Sequence, residues 1–109
     1  MSLYADYLAE LGFRHIIEND DGFIVYSING IECFIEELYV VPDKRLSHAG
    51  TSLEQQAMAM GKASGCKFMS CTVTIPCKQS TESLKAILKS GYRLCRADAT
   101  KIYLIKEIN

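Results

Sequence analysis

The chain has 109 residues, of which 49% are hydrophobic and 23% are charged, and its formal net charge is -1 at pH 7. This length suits one domain with one hydrophobic core, and the composition is that of a globular protein, which excludes intrinsic disorder. A net charge so close to zero gives no field that would attract nucleic acid or an anionic membrane. We therefore expect a single domain over residues 1–109 that binds neither.

Targeting signals are absent from the sequence pattern. No run approaches the roughly 20 apolar residues that span a bilayer. The segment Met1–Tyr7 has neither the basic stretch nor the apolar core of a signal peptide. The sequence therefore predicts a cytoplasmic protein.

Five cysteines are present, an odd number, and no two form a Cys-x-x-Cys pair. This spacing argues against a disulfide framework, a metal site or a thiol-based redox protein. Most of them lie in apolar, strand-like runs, where free cysteine is typically a small buried hydrophobe. They are Cys33, Cys66, Cys71, Cys77 and Cys95.

The first third of the chain predicts a helix and three strands. An apolar stripe at helical spacing marks the helix Leu3–Leu11, and Gly12 ends it. Turn residues then separate runs of strand character, and the short connections predict an antiparallel meander. The predicted strands are Phe13–Glu18, Phe23–Ile28 and Ile31–Val41, the last ended by Pro42.

The remainder predicts alternating helices and strands. A polar loop, Asp43–Gly50, precedes a helix over Thr51–Ser64, in which Gly61 allows close approach to a sheet. The next strand, Lys67–Val73, completes a βαβ unit and is therefore expected to run parallel to Ile31–Val41. After a loop at Thr74–Ser80, the sequence predicts a helix, Thr81–Ser90, and two last strands, Tyr92–Ala97 and Lys101–Glu107.

The predicted order is α-β-β-β-α-β-α-β-β. It indicates an α+β domain with a mixed, mostly antiparallel sheet flanked by helices. The junction of the third strand, the polar loop and the second helix favours phosphate binding, because the first amides of a helix lack internal partners and lie at its positive end.

That junction, residues 35–51, resembles the signature segment of the GNAT acetyltransferases. In this family an apolar strand leads to a loop of the form Arg/Gln-x-x-Gly-x-Gly/Ala; Arg45 and Gly50 match it, and His48 replaces the first glycine. The resemblance implies that backbone groups bind acetyl-CoA as the co-substrate. The implied residues are Leu38, Tyr39, Val40, Val41, Arg45, Leu46, Ser47, His48, Ala49, Gly50 and Thr51.

A second resemblance covers the last predicted helix, Thr81–Ser90, and the two residues that follow it. Residues 83–92 are similar to the family's Ala-x-x-Leu-Tyr-x-x-x-Gly-Phe segment, with Gly91-Tyr92 at the Gly-Phe position. The family tyrosine that serves as general acid corresponds to Ile87 here. Ser83 is the candidate to replace it, and Ser80 the candidate to bind the pantetheine arm, although either serine can fill either role.

The resemblance implies a carboxylate base on the strand before the loop, and Glu36 and Glu37 are the candidates. Because neighbouring residues of a regular strand point to opposite faces, only one of them is expected to face the cleft. The alternation places Glu37 with Ile35 and Tyr39, and Glu36 with Phe34 and Leu38. It does not say which face is the cleft.

The loop also has an interpretation that needs no ligand. Thr51-Ser52-Leu53-Glu54 fits a capping box, in which Thr51 caps the helix and Glu54 reaches back to the cap amide. Such a box would satisfy two of the helix amides internally and would weaken the case for phosphate.

The function implied by the resemblance is transfer of acetyl from acetyl-CoA to a primary amine on a small molecule or a peptide. The alternative is a non-catalytic module of the same fold that binds coenzyme A or a protein partner. Full-length family members have more structure before the first strands than the helix Leu3–Leu11. A homodimer that completes the acceptor groove is therefore a further expectation.

Overall fold

The computed structural model describes residues 14–45, 48–74 and 80–108, together with Leu3 and Asp6. Leu3 and Asp6 have helical backbone, and the rest of the predicted helix Leu3–Leu11 lies outside the described residues. The described elements that follow come in the predicted order. They are β1 (Arg14–Asn19), β2 (Gly22–Asn29), β3 (Glu32–Val40), a 3₁₀ turn (Pro42–Lys44), α1 (Ala49–Ala63), β4 (Phe68–Thr74), α2 (Ser80–Lys89), β5 (Arg93–Ala97) and β6 (Lys101–Glu107).

The strands form one sheet in the order β1-β2-β3-β4-β6-β5. The first three make the predicted antiparallel meander, and β3 pairs with β4 in the predicted parallel sense. The last strand, β6, lies between β4 and β5 and is antiparallel to both. The prediction of a mixed, mostly antiparallel sheet is confirmed.

Both helices pack on the same face of the sheet. Leu53 and Ala57 of α1 are fully buried against the sheet, and Leu84 and Ile87 of α2 pack against the same cluster. Gly61 permits this approach, since a Cβ there would lie 3.1 Å from the Cβ of Cys33. The close contact that the sequence predicted at Gly61 is confirmed. None of the helices in the described ranges is long and apolar enough to cross a membrane.

The cysteines are mostly part of this core. Cys33, Cys66 and Cys71 are buried free thiols, as predicted, whereas Cys95 on β5 is exposed. Cys77 lies outside the described residues. Burial, with a smaller contribution from Cys66 and Glu54, raises the pKa of Cys33 to about 12. The thiol therefore stays protonated and unreactive near neutral pH.

The predicted capping box is wrong. Helix α1 begins at Ala49, two residues before the predicted start, and its N-cap residue His48 makes no capping hydrogen bond through its side chain. Thr51 lies inside the first turn, and the carboxylate of Glu54 is turned into the protein, where it accepts a hydrogen bond from Tyr92. Tertiary packing determines the orientation of Glu54.

The end of β3 is held against the turn between β1 and β2. The Val41 amide donates to the carbonyl of Asp21 at 2.8 Å. Beside it, Gly22 lies so close to β3 that a Cβ would be 2.0 Å from the carbonyl oxygen of Tyr39. A side chain at residue 22 is therefore incompatible with the observed position of the strand that leads into the loop.

We expect Gly22→Ala to destabilise the protein by about 2–3 kcal/mol, because the methyl group overlaps backbone that cannot move without breaking the strand pairing. The measurement is urea unfolding followed by circular dichroism. Gly50→Ala is the matched control, since a Cβ there meets only the Val40 and Leu38 side chains, at 3.6 and 3.9 Å. Equal stability of the two variants would contradict this account of Gly22.

Candidate active site

The central feature of the site is the separation of β3 from β4. Three parallel pairs join the two strands, at Glu32–Phe68, Cys33–Met69 and Phe34–Ser70. Within the described strands no pairing continues past Phe34 and Ser70, although β3 runs on to Val40 and β4 to Thr74. The facing edges of the two strands therefore carry backbone groups without a partner strand.

An extra residue in β3 lies where the separation begins. On the β2 side, Tyr26 pairs with Ile35 but the preceding Val25 pairs with Glu37, so that Glu36 has no partner. Such a β-bulge bends its strand and increases its twist. The bulge at Glu36 thus directs the end of β3 away from β4.

The bulge also changes which residues share a face, and the predicted alternation is wrong beyond it. Glu37 lies opposite Val25, on the face away from α1 and α2, whereas Ile35 lies opposite the core residue Tyr26. The Nε of Arg14 donates to the Glu36 carboxylate at 2.9 Å, and Arg14 pairs with Ser27, which lies on the same face of β2 as Val25. The two glutamates are therefore close together rather than on opposite faces.

The gap between the strands is a cavity of about 520 Å³. The ends of β3 and β4 form two of its walls, and the first turns of α1 and the end of α2 form the others. The polar, reactive and small residues of its lining, with Ile87, are Glu36, Glu37, Arg45, Gly50, Thr51, Glu54, Cys71, Ile87 and Tyr92. This set brings both predicted carboxylates together with the predicted phosphate loop.

The N-terminus of α1 opens onto this cavity. The first helical hydrogen bond is from the Ser52 amide to the His48 carbonyl, at 2.9 Å, so the three preceding amides, of Ala49, Gly50 and Thr51, have no acceptor within the helix. At the N-cap the φ of His48 is -82°. Because this is not the left-handed region, histidine in place of the family glycine introduces no backbone strain.

Arg45 links the loop to the end of β3. Its Nε donates to the carbonyl of Val40 at 2.9 Å, and its guanidinium lies 5.7 Å from the ring centroid of Tyr39. The terminal guanidinium nitrogens have no partner among the described residues and belong to a side chain that lines the cavity. Arg45 thus contributes a positive charge beside the amides of α1.

A buried polar pair that the sequence did not predict forms part of the wall. Glu54 and Tyr92 are 7% and 5% exposed, and the Tyr92 hydroxyl donates to Glu54 Oε2 at 2.9 Å. Burial, and secondarily the Glu54 carboxylate, raises the pKa of Tyr92 above its ordinary range. The same causes raise the pKa of Cys71 to about 11. Neither side chain is therefore an ionised nucleophile or base near neutral pH. Glu54 was not predicted as a site residue because its spacing from Thr51 fits a capping box.

The other predicted site residues discussed next either do not line the cavity or are not fully described by the structure. Tyr39 stacks on Phe23 with ring centroids 5.7 Å apart, and its side chain is not part of the cavity wall. Leu46 and Ser47 lie outside the described residues. Ser80 and Ser83 belong to the first turn of α2, but their side chains lie outside the described part of the chain. Their predicted roles stay predictions.

The comparison with solved structures gives high similarity at low sequence identity. Nourseothricin acetyltransferase aligns with a TM-score of 0.74 and 20% identity, over 82% of this chain and 58% of that one. A protein from Desulfovibrio desulfuricans assigned to the GNAT acetyltransferases aligns with a TM-score of 0.80 and 14% identity, over 97% and 76%. PaiA N-acetyltransferase from Thermoplasma acidophilum, in complex with coenzyme A, aligns with a TM-score of 0.77 and 19% identity, over 96% and 68%.

The fold is that of the GNAT acetyltransferases. No protein-family model matches the sequence, and no curated protein matches it either. The chain spans about three fifths of the length of nourseothricin acetyltransferase. The likeness therefore confirms the predicted GNAT fold, and the activity has to be argued from the residues in the cavity.

Proposed function

We propose that the chain transfers an acetyl group from acetyl-CoA to a primary amine of a small molecule or a peptide. The observation that carries the proposal is the cavity between the separated strands, which has the uncapped N-terminus of α1 at one wall and two carboxylates at another. An anion site and a base beside one gap are the two features that acetyl transfer from a phosphate-bearing thioester needs.

The residues present fit coenzyme A. The amides of Ala49, Gly50 and Thr51 and the guanidinium of Arg45 supply donors and positive charge for the pyrophosphate. A Cβ at Gly50 would meet only side chains, at ordinary contact distance. Packing does not require glycine there, and a small residue at this position leaves the helix backbone accessible to a ligand. The unpaired edge of β3 supplies amides for the amide groups of the pantetheine arm and for the thioester carbonyl.

In the proposed reaction the amine nitrogen attacks the thioester carbonyl carbon. The new N–C bond replaces the C–S bond, the sulfur leaves with the bonding electron pair as a thiolate, and the amine proton passes to a carboxylate. Glu37 is the proposed base because it is exposed, lines the cavity and lies opposite Val25, on the face away from α1 and α2. Glu36, held by Arg14, is proposed to attract and position the cationic amine.

One observation supports binding without turnover. Ile87 lines the cavity at the position where the GNAT acetyltransferases that the sequence resembles have a tyrosine to protonate the thiolate. An aliphatic side chain cannot supply that proton. A module that binds coenzyme A and recruits a partner is therefore the second candidate, and turnover with a panel of amines separates the two.

We expect calorimetric titration with acetyl-CoA to give micromolar binding, on the order of -8 kcal/mol. Gly50→Asp should weaken it at least tenfold, because a carboxylate at the helix N-terminus repels the phosphates. Gly50→Ala is the matched control and should stay within a few-fold of the wild type. If Gly50→Asp binds as tightly as the wild type, the loop is not the phosphate site. If the wild type shows neither heat nor thermal stabilisation, the proposed co-substrate is wrong.

Once an acceptor amine is found, the two carboxylates should behave differently. Glu37→Gln removes the base and should lower kcat by about 10²- to 10⁴-fold, with the acetyl-CoA affinity unchanged. Glu36→Gln should chiefly raise the KM for the amine. Steady-state kinetics over the range pH 6–9 makes the comparison. If the kcat of Glu37→Gln equals that of the wild type, Glu37 is not the base.

A further inference from the structure

The Glu54 carboxylate is only partly used by the protein itself. Its Oε2 accepts the hydrogen bond from Tyr92 at 2.9 Å and lies 3.4 Å from the Nζ of Lys106. Both contacts are made by the same oxygen. For the other oxygen, Oε1, the described residues provide no hydrogen-bond partner.

Glu54 nevertheless forms part of the cavity wall. Its side chain is 9% exposed. Among the described residues, Oε1 is therefore an acceptor without a donor, on a largely buried side chain that lines the cavity.

Stability alone does not require an ion pair at this position. The neighbouring α1 residues Leu53 and Ala57 are apolar and fully buried. Replacing a buried ion pair by apolar side chains of similar volume is often neutral or stabilising. An acceptor kept in the wall of a cavity is better explained by a ligand that donates to it.

We propose that Glu54 Oε1 accepts a hydrogen bond from an O–H or N–H group of the pantetheine arm of coenzyme A. This inference rests on the proposed function. Glu54 follows Thr51 by three residues, so its Cα lies about 4.5 Å further along the axis of α1 than that of Thr51, at the helical rise of 1.5 Å per residue. A ligand whose phosphates occupy the first amides of α1 and whose arm enters the cavity passes Glu54 just beyond the phosphates.

The test compares two probes by calorimetry: coenzyme A, and adenosine 3′,5′-bisphosphate, which has phosphates but no pantetheine arm. Glu54→Met removes the acceptor and keeps the length of the side chain. It should weaken coenzyme A binding about tenfold or more, as expected for a lost hydrogen bond to a charged group, and leave binding of the bisphosphate unchanged. The control is Lys106→Met. Lys106 contacts the same carboxylate but is not part of the cavity wall. The variant should therefore bind both probes within about threefold of the wild-type affinities.

Three results would overturn the inference. In the first, Glu54→Met binds coenzyme A as tightly as the wild type. In the second, Glu54→Met weakens the binding of both probes equally, which would mean that Glu54 affects binding only by maintaining the fold. In the third, the wild type binds neither probe, which would overturn the proposed function as well. If Glu54→Met does not fold because the Tyr92 hydroxyl is left without an acceptor, the double variant Glu54→Met/Tyr92→Phe replaces both partners and is expected to show the same selective loss.

Discussion

The arrangement of the site depends on the point at which two parallel strands stop pairing. A parallel ladder satisfies the backbone groups of both edges, and ending it leaves donors and acceptors that need other partners. Here the ladder between β3 and β4 ends at Phe34–Ser70, and the extra residue Glu36 turns β3 away. The resulting gap brings the carboxylates of β3, the start of α1 and the wall formed by Tyr92 to one place. Without the bulge, Glu36 and Glu37 would lie on opposite faces of the sheet.

Two close contacts maintain this geometry from either end of β3. Gly61 brings α1 against Cys33 near the start of the strand, and Gly22 lets the β1–β2 turn contact the backbone of Tyr39 near its end. The helix is thereby fixed relative to the strand, and its first amides stay at the rim of the gap. The position of the proposed phosphate site therefore depends on close packing at these two glycines.

Much of the fold was predictable from the sequence because each element carries its own signals. Apolar periodicity, together with Pro42 at the end of the third strand, predicted elements that the structure confirms to within a few residues. The position of β6 between β4 and β5 was not predicted, because a choice of neighbours within a sheet leaves no local pattern. The start of α1 at Ala49 was missed because Thr51 and Glu54 have the spacing of a capping box.

The site was predictable only in outline. The strand-loop-helix junction predicted an anion site near Gly50, and of its loop residues Arg45, Gly50 and Thr51 line the cavity. The relation between Glu36 and Glu37 depends on a bulge, and strict alternation along a strand cannot reveal it. The role of Glu54 depends on Tyr92, 38 residues away in sequence. Contacts of this range exist only once the sheet has formed.

The most direct test of the account is a crystal structure of the protein grown with acetyl-CoA. The account predicts the pyrophosphate at the amides of Ala49–Thr51 and the thioester in the gap between residues 36–38 of β3 and 71–74 of β4. Density for the ligand elsewhere on the protein, with β3 and β4 closed against each other past Phe34, would contradict it.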